Sequence, residues 1–114
     1  MKIIKILDAS QIDYVKNLIE NLEFHDGIKT ALGLAKKIKL NKQAVAEGDK
    51  YQELVSYIND ILIKNLTLKK RYLPKAFSAP VINKYEVGES YGRHFDTSHM
   101  NTGSGSIRND FSFT

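Results

Sequence analysis

The chain has 114 residues, a size that excludes a two-domain architecture, and is 42% hydrophobic and 26% charged, a balance that suggests neither a disordered tail nor a membrane span. With no cysteine it can form no disulfide, thiolate centre or Cys-ligated zinc or iron–sulfur cluster. The net charge of +4 is concentrated in the first two thirds: residues through Lys75 carry +5, and those from Ala76 onward carry −1.

Ile3, Ile4, Ile6 and Leu7 form a β-branched run that predicts a first strand, ended by Asp8-Ala9-Ser10. Lys5 and Asp8 interrupt it where an export signal needs apolar residues, so a cytoplasmic protein is expected. Ser10 with Asp13 approximates a capping box. From there Ile12, Val15, Leu18, Ile19 and Leu22 recur at helical spacing and predict a helix over about 10–22. Asp26-Gly27 marks a turn. The stretch from Thr30 to Gln43 reads as extended, with Lys37, Lys39, Asn41 and Gln43 on one side and Ile38 and Leu40 on the other.

After Gly48-Asp49, Tyr51, Leu54, Val55, Ile58, Ile61 and Leu62 define the apolar face of a second helix. Lys69-Lys70-Arg71 follows, and Pro74 and Pro80 bracket a connector. Strands are predicted over 81–86, 90–96 and 107–114, with a Gly-containing turn at 87–89 and a flexible loop at 102–106. In the last strand Arg108, Asp110, Ser112 and Thr114 would share one face, and Phe111 and Phe113 the other. Helices first and antiparallel strands after predict an α+β domain.

Tyr91-Gly92-Arg93-His94-Phe95-Asp96 carries the most chemistry. In a strand, residues two apart point the same way, so the His94 imidazole and the Asp96 carboxylate would converge on one ion. Imidazole plus carboxylate is a donor mixture suited to iron(II), and a second histidine would complete a 2-His-1-carboxylate triad with open positions. The pair alone is weak: three histidines produce a His-x-Asp by accident in roughly one chain in seven. It also reads as a surface ion pair.

Several segments in order strengthen the metal reading. Phe24-x-Asp26-Gly27-x-x-Thr30-Ala31, Lys39-x-Asn41-x-Gln43, Leu73-Pro74, the block from Tyr85 to Asp96, and Arg108-x-Asp110-x-Ser112-x-Thr114 together resemble the PKHD-type hydroxylases, within the prolyl-4-hydroxylase-like 2-oxoglutarate oxygenases. Leu32, where that family more often has Gly, and Thr97-Ser98 after the ligand pair depart from the pattern without touching the ligands.

The resemblance implies a single domain over 1–114, with a helical layer over about 1–75 and the first strands of a double-stranded β-helix (jelly roll) over about 76–114. That barrel would be incomplete, its later strands beyond Thr114. It implies iron(II) bound by His94 and Asp96, 2-oxoglutarate as cosubstrate, molecular oxygen, ascorbate as reductant, and oxidative decarboxylation coupled to hydroxylation of a small-molecule or peptide substrate. The distal histidine and the basic residue that grips 2-oxoglutarate lie on the later strands in such enzymes, so the 114-residue chain alone is expected to turn over weakly or not at all. His25 and His99 are the other histidines and do not occupy the third-ligand position of the family's pattern.

Tyr85 is a candidate cosubstrate contact by the same resemblance, or a tyrosine packed across the sheet. Arg108, Asp110 and Ser112 form a polar row that would line a site or meet solvent. Asn41 and Gln43 face the site or solvent. An unfinished barrel would expose the edge beside 107–114 and favour a homo-oligomer. Two other readings compete with the enzyme. One is a nucleic-acid-binding module on Lys36, Lys37, Lys39, Lys42 and Lys69-Lys70-Arg71, disfavoured because no aromatics interleave with the cations. The other is a non-catalytic remnant of the hydroxylase.

Overall fold

The computed structural model describes residues 3–31, 33–112 and 114, with the side chains of 34 and 35 left aside. The described residues form an α+β arrangement of three α-helices and seven short strands, in two compact units: Met1–Phe24 with Ala44–Val81, and His25–Gln43 with Ile82–Thr114. Expectations resting on Leu32 and Phe113 lie outside the described residues.

The first unit is helical. Helix α1 (Ala9–Glu20) begins one residue before its predicted start, because Asp8 rather than Ser10 is the cap. The Asp8 carboxylate accepts from the Gln11 backbone N–H, and the Gln11 side chain accepts from the Asp8 N–H, both at 2.9 Å. The strand predicted over Ile3–Leu7 is absent: 3–8 is irregular chain, since β-branched residues make a strand only where a neighbouring strand completes the ladder.

Helix α2 (Asp49–Lys64) matches its apolar period, burying Tyr51, Leu54 and Leu62. Leu54 is fully enclosed. Against α1, Tyr14 meets Tyr57 edge to face at 4.6 Å and donates its hydroxyl to Glu53 at 2.8 Å. Asn65 ends α2 and caps α3 (Leu66–Tyr72), accepting from the Leu68 N–H at 2.9 Å. Lys69, Lys70 and Arg71 therefore sit in the last turn of a short helix, where cations complement the exposed carbonyls. Leu73 ends it in the left-handed region at φ 45°, directly before Pro74. Among the described residues no helix is long and apolar enough to cross a membrane.

The second unit holds the short strands. Strands β1 (Phe24–Asp26), β3 (Lys42–Ala44) and β4 (Asn83–Lys84) form one sheet in the order β1-β3-β4. β2 (Lys39–Leu40) pairs antiparallel with β5 (Ser90–Tyr91), and β6 (His99–Thr102) with β7 (Gly105–Arg108). The predicted extended stretch from Thr30 to Gln43 instead contains a 3-10 turn over Gly33–Lys37 followed by β2 and the start of β3. Three predicted strands shrink: 81–86 to Asn83–Lys84, 90–96 to Ser90–Tyr91, and 107–114 to a strand that begins at Gly105 and ends at Arg108. The loop expected at 102–106 is the tight turn of the β6–β7 hairpin, with Gly105 at φ 128°.

Candidate metal centre

His94 and Asp96 lie in irregular chain after β5, so the strand alternation that predicted their shared face does not operate. They meet nonetheless, with His94 Nε2 3.5 Å from Asp96 Oδ1. What brings them together is local. Gly92 donates its N–H to the Ile38 carbonyl at 2.8 Å, extending the β2–β5 ladder by one residue. A Cβ at Gly92 would lie 3.0 Å from Ile38 Cβ, so this close approach favours glycine. The Gly92 carbonyl then faces His94 Nδ1 at 2.7 Å. A carbonyl only accepts, so Nδ1 carries the proton, and in the neutral ring the lone pair is at Nε2. The His94 ring is also stacked on Tyr91, with centroids 3.5 Å apart and planes 13° from parallel.

Asp96 is fixed from the other direction. Asn109 donates its N–H to the Ser98 carbonyl at 2.8 Å and its amide to the Thr97 carbonyl at 2.7 Å, tying the segment after Asp96 to the end of β7. Ser112 then donates its hydroxyl to Asp96 Oδ2 at 2.5 Å. Each residue of the pair thus has one polar atom committed to an orienting hydrogen bond and the other facing its partner. Metal-bound histidines and carboxylates are characteristically held in this way.

The donor set fits one divalent ion. Two donors about 2.1 Å from a common metal are roughly 3.0 to 3.4 Å apart across octahedral to tetrahedral angles. The observed separation differs from that span by tenths of an ångström. His94 is the more enclosed, its side chain 25% exposed against 59% for Asp96, leaving an open side for further ligands. Among the described residues no third His, Cys, Asp or Glu joins them. His99 lies on β6 opposite Arg108, with Nδ1 3.1 Å from the Ser98 hydroxyl. His25, on β1, has Nδ1 3.0 Å from the Asp26 carbonyl.

The remaining predicted residues divide. Ser112 reaches the pair. Arg108 and Asp110 bind each other instead, Nε donating to Oδ1 at 2.7 Å, which holds the guanidinium above its ordinary range. They do not lie with Ser112 on the face of one strand, because β7 ends at Arg108. Tyr85 is exposed in irregular chain after β4 and makes no hydrogen bond among the described residues.

Two of the sequence motifs converge on the Lys39 ammonium. Lys39 Nζ donates to Thr30 Oγ1 and to Gln43 Oε1, both at 3.0 Å, and the Thr30 hydroxyl lies 2.6 Å from the same Gln43 oxygen. Lys39 is directly opposite Tyr91 in the β2–β5 register, with its ammonium 5.3 Å from the Tyr91 ring centroid. Burial lowers the Lys39 pKa, against a smaller opposing effect of Asp26. Asn41, between Lys39 and Gln43, is buried against Gly27 and donates to Asn83 Oδ1 at 3.2 Å. The Lys39-x-Asn41-x-Gln43 spacing was the sequence signal for this cluster; its partner Thr30 is set by the turn after Gly27.

Curated proteins resemble this chain over nearly its whole length. A PKHD-type hydroxylase of Gloeothece citriformis is 35% identical over 109 residues, covering 96% of this chain and 48% of that protein. One of Idiomarina loihiensis is 36% identical over 115 residues, covering 98% and 50%. The chain is homologous to the PKHD-type hydroxylases. A third such hydroxylase, of Thermosynechococcus vestitus, is 31% identical over the whole chain and 51% of its own length. The chain therefore spans about half the length of the PKHD-type hydroxylases it matches. No family model and no solved structure matches it.

Proposed function

We propose that this chain supplies two of the protein ligands, His94 and Asp96, of an iron(II)- and 2-oxoglutarate-dependent hydroxylase. The observation that carries the reading is the pair itself: Nε2 and Oδ1 face each other at 3.5 Å while Gly92 and Ser112 occupy the other two atoms. The homology to proteins named hydroxylases directs the donor set toward oxidation rather than toward a structural ion. Bound there, iron(II) with oxygen and 2-oxoglutarate supplies the oxidising equivalent that converts a C–H bond to C–OH, the 2-oxo acid leaving as succinate and carbon dioxide.

The chain's own residues orient and shield. Gly92 holds the imidazole in the tautomer that offers Nε2. Tyr91 covers one face of the ring and limits access of water from that side. Ser112 holds Asp96 so that Oδ1 is presented. A third protein ligand and the strands of a jelly-roll barrel belong to the same reading, as does a small-molecule or peptide substrate, with ascorbate keeping the metal reduced.

The test is succinate release from 2-oxoglutarate by the whole translated gene product, in iron(II), ascorbate and air. Release that His94→Ala removes is the expected result. No release, or release that His94→Ala leaves unchanged, contradicts the proposal.

A further inference from the structure

The His94 imidazole is the more enclosed half of the donor pair, yet it stands in irregular chain, where no ladder fixes it. Among the described residues its Nδ1 has one hydrogen-bond partner, the Gly92 carbonyl at 2.7 Å. One such bond sets the direction of Nδ1 and leaves the ring free to tilt about it. The tilt decides where Nε2 points. It is set by the stack on Tyr91, whose ring lies 13° from parallel at a centroid separation of 3.5 Å.

Tyr91 is the last residue of the two-residue strand β5, and its hydroxyl makes no hydrogen bond among the described residues. Contacts of the ring itself must therefore orient it. The cross-strand neighbour Lys39 supplies one, its ammonium 5.3 Å from the ring centroid and inside the range of cation–π attraction. A half-buried lysine ordinarily extends its ammonium toward water. Here Thr30 Oγ1 and Gln43 Oε1, each 3.0 Å from Nζ, hold it in place, and among the described residues no carboxylate lies within ion-pair distance to draw it elsewhere.

We propose that Lys39 is a positioning residue for His94 and acts through the Tyr91 ring. Thr30 and Gln43 hold the ammonium, the ammonium holds the tyrosine ring, and the ring holds the imidazole at the tilt that turns Nε2 toward Asp96. A residue of β2 with no contact to either donor thereby controls how well the pair converges on an ion. The proposal rests on the hydroxylase reading only for what His94 binds; the alignment of the three side chains needs no metal. It also divides Tyr91: the ring is required and the hydroxyl is not.

The first measurement is made without metal, by NMR of the whole translated gene product labelled at histidine, with the His94 ring signals assigned by their loss in His94→Gln. Stacking should move those signals upfield through the ring current of Tyr91. Tyr91→Phe should keep the displacement and Tyr91→Leu should abolish it. Lys39→Gln should reduce it, and Lys39→Arg, which restores a cation, should recover it. Gln43→Leu, which removes one anchor of the ammonium and leaves β2 and β5 unsubstituted, should act in the same direction as Lys39→Gln. An unchanged Gly92 amide signal in these variants verifies that the bond to Ile38 persists, so that the effect passes through the rings. A parent imidazole without the upfield displacement, or a displacement that Lys39→Gln and Gln43→Leu both leave in place, overturns the proposal. So does a loss in Lys39→Gln that Lys39→Arg fails to recover.

Manganese(II) affinity should follow the ring signals: about tenfold weaker in Lys39→Gln and Tyr91→Leu, recovered in Lys39→Arg and unchanged in Tyr91→Phe. A parent that binds, with equal affinity in Lys39→Gln, overturns the positioning role. A parent that does not bind contradicts the hydroxylase reading instead, and the metal-free ring signals still decide the proposal.

Discussion

Gly27 sits where no side chain can: a Cβ built on it would be 1.9 Å from Asn41 Oδ1. Its N–H donates to the Asn41 carbonyl at 2.9 Å, and its own carbonyl receives the Thr30 hydroxyl at 3.1 Å. The glycine thus fixes both the buried Asn41 and the turn that carries Thr30 to Lys39. The neighbour cannot yield cheaply, because Asn41 is itself only 3% exposed. Gly27→Ala should therefore destabilise the chain by about 1–3 kcal/mol, read as a lower denaturant midpoint at unchanged slope. A midpoint equal to that of the parent would show that the turn relaxes freely. His94 and Asp96 illustrate a different residue-scale point. Their spacing pointed to a convergence that the structure shows as a 3.5 Å contact, whereas the Gly92 carbonyl facing Nδ1 is a backbone group that no side-chain pattern announces.

At the scale of elements, the lysines of β3 and β4 pose an electrostatic problem that Glu86 relieves. Lys42 and Lys84 are directly opposed in the antiparallel register, an arrangement of like charges that disfavours pairing. Glu86 bridges them, with Oε1 2.8 Å from Lys42 Nζ and 3.7 Å from Lys84 Nζ. The hydrogen bond and charge of Lys42, then the charge of Lys84, hold the Glu86 carboxyl below its ordinary 4.5; Glu86 in turn raises Lys42 above 10.5. The carboxyl's contribution to stability is present above pH 4.5 and lost as pH falls through its lower folded value. That of the ammonium is present below pH 10.5 and lost as pH rises through its higher one. A carboxyl NMR titration should place the Glu86 midpoint below 4.5 and move it upward in Lys42→Gln. A midpoint at 4.5 in both proteins would mean that the bridge does not form in solution.

The same scale explains what could be read in advance. Helices α1 and α2 are 12 and 16 residues long, enough turns for the apolar period to declare itself. Helix α3 has seven residues, three of them cationic, and buries only Leu68, so its sequence shows a charge run rather than a face. The strands of the second unit are two to four residues long, too short for alternation to set their limits, and Ile3–Leu7 has strand-like residues but no ladder partner.

Across the whole molecule, the two units carry different kinds of information. The first, with α1, α2 and α3, is held by packing around residues such as Leu18, Leu54 and Leu68. The second contains the His94–Asp96 pair, with Tyr91, Gly92 and Ser112 around it, and the Lys39 ammonium with Thr30 and Gln43. The separated motifs of the sequence were legible as a family pattern, and the homology to PKHD-type hydroxylases agrees with it over nearly the full chain. Their meeting around Tyr91 was not legible, because it depends on the pairing of two-residue strands.

If His94 and Asp96 bind one ion together, manganese(II) shows it most directly, as a paramagnetic stand-in for iron(II). Substoichiometric manganese(II) should selectively broaden the amide signals of Tyr91, Gly92, His94, Asp96 and Ser112 in the parent chain, and should lose that selectivity in both His94→Ala and Asp96→Ala. The same local broadening in either variant, or none at these residues in the parent, would contradict a shared metal site.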